Sequence, residues 1–194
     1  MLIVGIIGTN ASGKGTIVGI LKKDFGFKHL SVREYIAKEV KRKNLKVTRE
    51  TLIETANEIR KEHSPSYIVE QLYKEAEKLQ KPVVIESIRT VGEVKALRKK
   101  PNFLLIAVDA DRKTRYERSL KRNSETDNLS YKQFIQIEER EMTSNDEGKQ
   151  NLRKCIEMAD IVILNNGTIE DLRKQVRRIA SFSDTLPHSY PRCY

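Results

Sequence analysis

Cysteine and histidine are both scarce in this chain, and long apolar runs are missing. The two cysteines, Cys155 and Cys193, form no CxxC pair, and only three histidines occur in 194 residues. Such a supply reads as isolated thiols and offers neither a disulfide framework nor a zinc cluster. The opening apolar run, Leu2–Ile7, is short and follows no basic segment, so it suits neither a signal peptide nor a membrane span. Internal repeats are not visible. Aromatics at 6%, with no recognisable module, argue against a nucleic-acid partner. What the chain has in excess is positive charge: 37 Lys and Arg against 27 Asp and Glu, a net +10. That excess favours anionic partners without choosing among nucleotides, coenzymes, nucleic acid or an acidic membrane surface. With 38% hydrophobic and 33% charged residues, the expectation is one compact, cytoplasmic domain with its own core, monomeric or homodimeric and without a membrane partner.

Apolar periodicity gives the next layer. LIVGII is continuously apolar and β-branched, the pattern of a parallel strand covered on both faces. KHLSV, VVIES (Val83–Ser87), FLLIAV (Phe103–Val108) and IVIL (Ile161–Leu164) are further strand candidates. Between them lie helical patterns: one ending near Gly26, a long stretch over Ser31–Gln80 in three segments (REYIAKEVKRK, TRETLIETANEIRKEH and SPSYIVEQLYKEAEKLQ), one beginning near Thr90, and a last one in TIEDLRKQVRRIASF. Within the long stretch, Ser64 reads as an N-cap with Pro65 at the first helical position. Strands alternating with helices predict an α/β fold: a five-stranded parallel sheet with helices on both faces, in three layers. The basic runs Lys41–Lys46 and Arg173–Arg178 read as solvated helix ends and faces. A domain over 1–181 is expected, followed by a proline-containing tail over 182–194.

The first strand runs into GTNASGKGT (Gly8–Thr16), which contains Gly8-x4-Gly13-Lys14. Glycines permit positive φ and let backbone N–H groups approach a polyphosphate with no Cβ in the way. The helix that follows presents its positive end and unpaired amides, and Lys14 supplies a charge for the β- and γ-phosphates. Gly8, Asn10, Ala11, Ser12, Gly13, Lys14, Gly15 and Thr16 are therefore the expected cradle for ATP. In the common form of this loop, Ser or Thr follows the lysine directly and meets magnesium. Here Gly15 intervenes, and the GKGT ending resembles adenylate and cytidylate kinases. Mg2+ is then expected mostly on phosphates and water, with Thr16 meeting either the metal, a phosphate or a metal-bound water.

Other segments supply further groups. IESIRT (Ile85–Thr90) places Glu86 and Arg89 at the carboxyl edge of the sheet, where ligands bind in such folds. It resembles the DGFPRT stretch of adenylate kinases, one residue shorter. That resemblance implies that Glu86 orders metal-bound water and that Arg89 grips an acceptor phosphate. The alternative is a strand-end carboxylate capping the next helix beside a surface arginine. LSVREYI (Leu30–Ile36) falls where monophosphate kinases begin their acceptor region, which makes Ser31 and Arg33 substrate candidates, or else an N-cap and a first-turn surface arginine. Arg60 in ANEIR is a further substrate candidate, while His63 reads as a packed or surface histidine. Arg115, Arg118 and Arg122 recur on one helical face. YERSLKR resembles the LERLxxR of dephospho-coenzyme A kinases and the lid-proximal arginines of adenylate kinases. Arg118 and Arg122 would then touch the nucleotide or stabilise transition-state charge, unless they belong to a solvated face. Arg140 is one more candidate. ADIVILNNGTIEDLRKQV (Ala159–Val176) resembles the last strand–loop–helix of dephospho-coenzyme A kinases, which implies that Asn166 and Gly167 border the adenine.

The resemblance to P-loop nucleoside monophosphate kinases extends over residues 1 to about 180. It is strongest to a group of archaeal and bacterial kinase-like proteins with ANELR…GP, VR…EVE and ERE motifs, whose domain also occurs joined to deoxycytidylate deaminases. It implies transfer of the γ-phosphoryl of ATP, with Mg2+, to a (deoxy)nucleoside monophosphate, using a helical acceptor region over 31–81 and a lid over 122–150. An acceptor that is already an ionised phosphate needs no general base, in keeping with a site rich in Arg and Lys and poor in His. Two rivals remain: a kinase for a hydroxyl acceptor such as dephospho-coenzyme A, with Glu34 or Glu86 as base, and a nucleotide-sensing module without turnover.

Overall fold

The computed structural model describes residues 1–122 and 129–183, with side chains through residue 179. Part of the expected lid (123–128) and most of the expected tail, including Cys193, lie outside the described residues.

The apolar runs become the sheet. Strand β1 (Ile3–Gly8) is buried at every position. It pairs in parallel with β3 (Val83–Glu86) on one side and β4 (Phe103–Asp109) on the other. β2 (Lys28–Ser31) and β5 (Ile161–Leu164) form the edges, giving the order β2-β3-β1-β4-β5, all parallel. Alternation along β1 sends Ile3 and Ile7 to one core and Val4 and Ile6 to the other. Helices α1 (Lys14–Phe25) and α9 (Ile169–Ser183) cover one face. The other is covered by α2 (Val32–Arg42), α3 (Arg49–Glu62), α4 (Tyr67–Leu79), α5 (Val91–Arg98) and α8 (Leu152–Glu157). Helices α6 (Arg112–Arg122) and α7 (Tyr131–Met142) stand beyond the carboxyl end of β4.

The stretch over 31–80 is broken twice. After α2, Asn44 takes a left-handed φ of 57°, and α3 restarts with a reciprocal capping box between Thr48 and Thr51. The second break corrects the expected N-cap at Ser64. The helix starts at Tyr67, because Ser64–Tyr67 first closes a turn through the Tyr67 N–H to the Ser64 carbonyl. Pro65 packs so closely on α5 that a Cβ at Gly92 would stand 2.6 Å from its ring. Tertiary packing thus holds Pro65 in the turn and delays the helix.

One buried acid organises the edge of the site. Glu93 is fully buried and completes a capping box with Thr90 at the start of α5. Its carboxylate also accepts from the Arg89 N–H at 3.0 Å and from the Arg60 guanidinium at 2.7 Å. Three neighbouring groups therefore depend on one side chain for their positions.

Candidate active site

The carboxyl ends of the strands open into a cleft of about 860 Å³. Its first wall is the Gly8–Thr16 loop. Gly8 has φ 147° and lies so close to the Val108 carbonyl that a Cβ there would stand 2.0 Å away. Gly13 has φ 108°, with the Asn165 amide 2.2 Å from where its Cβ would be. Both positions require glycine, for steric as well as conformational reasons. Gly15 differs, since a Cβ there meets nothing within 4 Å.

The loop's polar side chains turn inward. Lys14 turns its amine back onto the Gly8 and Thr9 carbonyls, at 2.9 and 2.6 Å. The Ser12 hydroxyl is buried without a hydrogen-bond partner among the described residues. Burial, followed by the charge of Arg89, lowers the Lys14 pKa to about 7, against the opposing pull of Glu86 and Glu141. A polyphosphate in this loop would restore the ammonium charge and satisfy the donors.

Long-range bonds hold the loop in place. Thr9 donates to Asp109 at 2.7 Å, and the Asn165 amide donates to the Ser12 carbonyl at 2.8 Å. Arg118 and Arg122 share a face but have different partners: Arg118 donates to the Asn165 carbonyl and Arg122 to the Asn10 side chain. The third arginine of that face, Arg115, is buried against Glu138 of α7 and the Ala110 carbonyl. Burial pulls the Glu138 pKa upward, but Arg115 and Arg112 more than offset it and hold the carboxyl below the usual range. This pair fixes α7 against α6. On the far side, Gly167, Leu172 and the exposed Ile169 line the cleft and form an apolar shelf beside Arg118. Asn166 lies next to this shelf and accepts from the Asp111 N–H at 2.8 Å.

The second wall draws on several elements. Val32 and Ile36 of α2 face Leu52, Ile53 and Ala56 of α3 to form an apolar slot with Asn57 at its side. Arg33, Arg49, Arg60 and Arg89 surround it. Arg33 is exposed and has no ion-pair partner among the described residues. Arg60 reaches Glu93, and its buried Nε has no hydrogen-bond partner among the described residues. Arg89 and Arg49 both bind Glu141 of α7.

Glu86 stands between the two walls. It accepts from Ser31 at 3.2 Å and has the His29 Nε2 3.5 Å away, at the limit of hydrogen bonding. His29 first, then Ser31 and Lys14, hold its carboxyl below the usual range despite burial. It does not cap the next helix, because Thr90 and Glu93 perform that task. Ser31 both caps α2, through the Glu34 N–H, and anchors Glu86.

Of the residues expected from sequence, Asn10, Ala11, Gly13, Lys14, Gly15, Thr16, Arg33, Arg60, Glu86, Arg89, Arg118, Arg122 and Gly167 all line the cleft. Gly8, Ser12, Ser31 and Asn166 do not line it: Gly8 and Ser12 belong to the loop, Ser31 donates to Glu86, and the exposed Asn166 accepts from the Asp111 N–H. His63 stacks on Tyr67 with ring centroids 4.0 Å apart, as a packed histidine. Arg49, Asn57, Glu141, Gln150 and Asn165 also line the cleft and were not singled out by sequence. Strand alternation offered a signal for Asn165, next to Asn166, but nothing local marked the others.

Comparison with known proteins agrees with this architecture. Residues 7–138 match the family model described as the AAA domain. A UPF0200 protein of Methanocaldococcus jannaschii is 30% identical over 182 residues, covering 92% of this chain and 89% of its own. The chain belongs to the UPF0200 family of AAA-domain P-loop proteins. Among solved structures, TT1252 from Thermus thermophilus superposes with a TM-score of 0.65 at 20% identity, over 93% of this chain and 97% of that one. Shikimate kinase from Acinetobacter baumannii, solved with shikimate, gives 0.59 at 14% identity, over 96% of each chain. These likenesses show a kinase-like P-loop fold. No helix among the described residues of this UPF0200 protein is long and apolar enough to cross a membrane.

Proposed function

We propose that this UPF0200 protein is an ATP-dependent phosphotransferase whose acceptor is a (deoxy)nucleoside monophosphate. The observation that carries this reading is the second set of cations. A phosphate loop accounts for Lys14 and the buried Glu93 for Arg60, but neither accounts for Arg33, Arg49 and Arg89 around an apolar slot across the cleft. An apolar slot beside clustered guanidinium groups fits a base and a phosphate on one molecule.

In this reading the loop and Lys14 hold the β- and γ-phosphates of ATP, and the shelf at Gly167 and Ile169 takes the adenine. Helices α2–α4, within 31–81, position the acceptor, and the lid over 122–150, which contains α7, borders the reacting groups. Arg89, Arg118 and Arg122 stabilise charge on the transferring phosphoryl. Mg2+ would neutralise the phosphates when bound. The described residues hold no cluster of three or more His, Cys, Asp or Glu able to bind it unaided, so Thr16 and Glu86 would hold it with phosphates and water. The ionised Glu86 suits that task.

ADP release against a panel of (deoxy)nucleoside monophosphates, dephospho-coenzyme A and shikimate, at equal concentrations, tests the proposal. Turnover with a monophosphate supports it. Turnover only with a hydroxyl acceptor would reassign Glu86 as a general base and overturn it.

A further inference from the structure

Glu141 is an acid in a cleft otherwise furnished for anions. It sits in the last turn of α7 and is almost fully buried, at 8% exposure. Both of its carboxylate oxygens are occupied. Oε1 binds Arg49, the first residue of α3, and Oε2 binds Arg89, on the loop after β3, at 2.8 Å. Arg89 is further steadied by Gln150 at 3.2 Å. One carboxylate thus closes a bridge between the acceptor wall, the loop after β3 and α7, and its charge reaches Lys14 on the opposite wall.

The pairing does not resemble the structural ion pairs of this molecule. Arg60–Glu93 and Arg115–Glu138 are buried on both sides, with every guanidinium under a tenth exposed. Arg49 and Arg89 remain about 30% exposed and face the open cleft. Two cleft-facing guanidinium groups converging on one carboxylate form the geometry that would otherwise chelate a phosphate.

We propose that Glu141 is a built-in stand-in for the acceptor's phosphate. Before an acceptor arrives it keeps Arg49 and Arg89 converged and α7 docked, and a dianionic acceptor group displaces it. The idea rests on the function proposed above and deepens it, because it supplies a charge filter. A phosphate dianion competes well for two guanidinium groups against a monoanionic carboxylate. A neutral hydroxyl acceptor has nothing with which to displace it. Two anions on the same pair repel, so displacement frees the end of α7 as the acceptor arrives. Glu141 is in this sense a positioning and selectivity residue.

The test reads anion binding and does not depend on turnover. With the phosphate loop saturated by a non-hydrolysable ATP analogue, inorganic phosphate is titrated by calorimetry at constant ionic strength. Glu141→Gln, which keeps the shape but removes the charge, is expected to bind phosphate at least fivefold more tightly than the unmodified protein. Arg49→Gln is expected to bind it at least fivefold more weakly. Equal or weaker binding by Glu141→Gln would overturn the proposal. A second readout needs no variant: amide exchange across Tyr131–Met142 should quicken when phosphate is added to the analogue complex, and unchanged or slower exchange would contradict displacement. If no monophosphate is a substrate while both phosphate results hold, the reading of the function fails and the stand-in survives.

Discussion

The two walls of the cleft are built by opposite strategies. The loop wall is one continuous segment whose shape follows from its own residues: Gly8 and Gly13 at positive φ, and Lys14 folded onto carbonyls of the same loop. The second wall is assembled from α2, α3, the loop after β3 and α7, and ion pairs between distant residues hold it together. A polyphosphate offers the same chemistry in any molecule, so a compact local device suffices to bind it. An acceptor differs from enzyme to enzyme, and a wall drawn from several elements can be altered one side chain at a time.

Substitutions on each wall should therefore fail in different ways. Lys14→Ala should have the largest effect, lowering ADP release by about a thousandfold or more, on the order of 4 kcal/mol of transition-state stabilisation. Its circular dichroism and melting temperature should stay near those of the unmodified protein, because the amine has only loop carbonyls as partners. Glu93→Ala belongs to the other wall and should act through stability. It removes the α5 capping box and leaves Arg60 buried without its counterion, a loss of about 3–5 kcal/mol in urea unfolding.

Next in size is a pH effect confined to the loop. In the free protein Lys14, with its pKa lowered to about 7, is largely neutral at pH 8.5. A bound polyphosphate raises that pKa, so nucleotide binding takes up a proton above about pH 7. Affinity should fall as pH rises, by about tenfold between pH 7 and 8.5, and should level off below 7, where the amine is already charged. Calorimetry in buffers of different ionisation enthalpy would detect the proton; a binding heat independent of buffer would contradict it. Smaller still, Arg33→Ala should raise the KM of the acceptor by about five- to tenfold, a charged contact's worth. It should leave nucleotide affinity and stability unchanged, since Arg33 supports no other residue in the described structure.

The same contrast explains what the sequence revealed. The five strands and the phosphate loop were legible because each is a short continuous pattern: an apolar run, or glycines at fixed spacing before a lysine. TIEDLRKQV likewise announced α9. The second wall was harder to read. Helical patterns separated three segments within residues 31–80, but they could not show the left-handed turn at Asn44, or that packing of Pro65 on Gly92 moves the start of α4 to Tyr67. The Arg49–Glu141 pair joins residues 92 apart in the chain. Glu93 looked like any first-turn glutamate, yet it is the buried hub of Arg60, Arg89 and Thr90. Long-range pairs leave no local trace, and for that reason Arg60 and Arg89 were legible as cations while their partners were not.

The central claim is that the second wall receives a phosphate. It is tested most directly by giving the protein ATP and Mg2+ with a nucleoside monophosphate in one vessel and the matching nucleoside in another, following products by phosphorus NMR. This account predicts ADP together with a nucleoside diphosphate from the first vessel and no phosphorylated nucleoside from the second. Phosphorylation of the nucleoside at a comparable rate would contradict it.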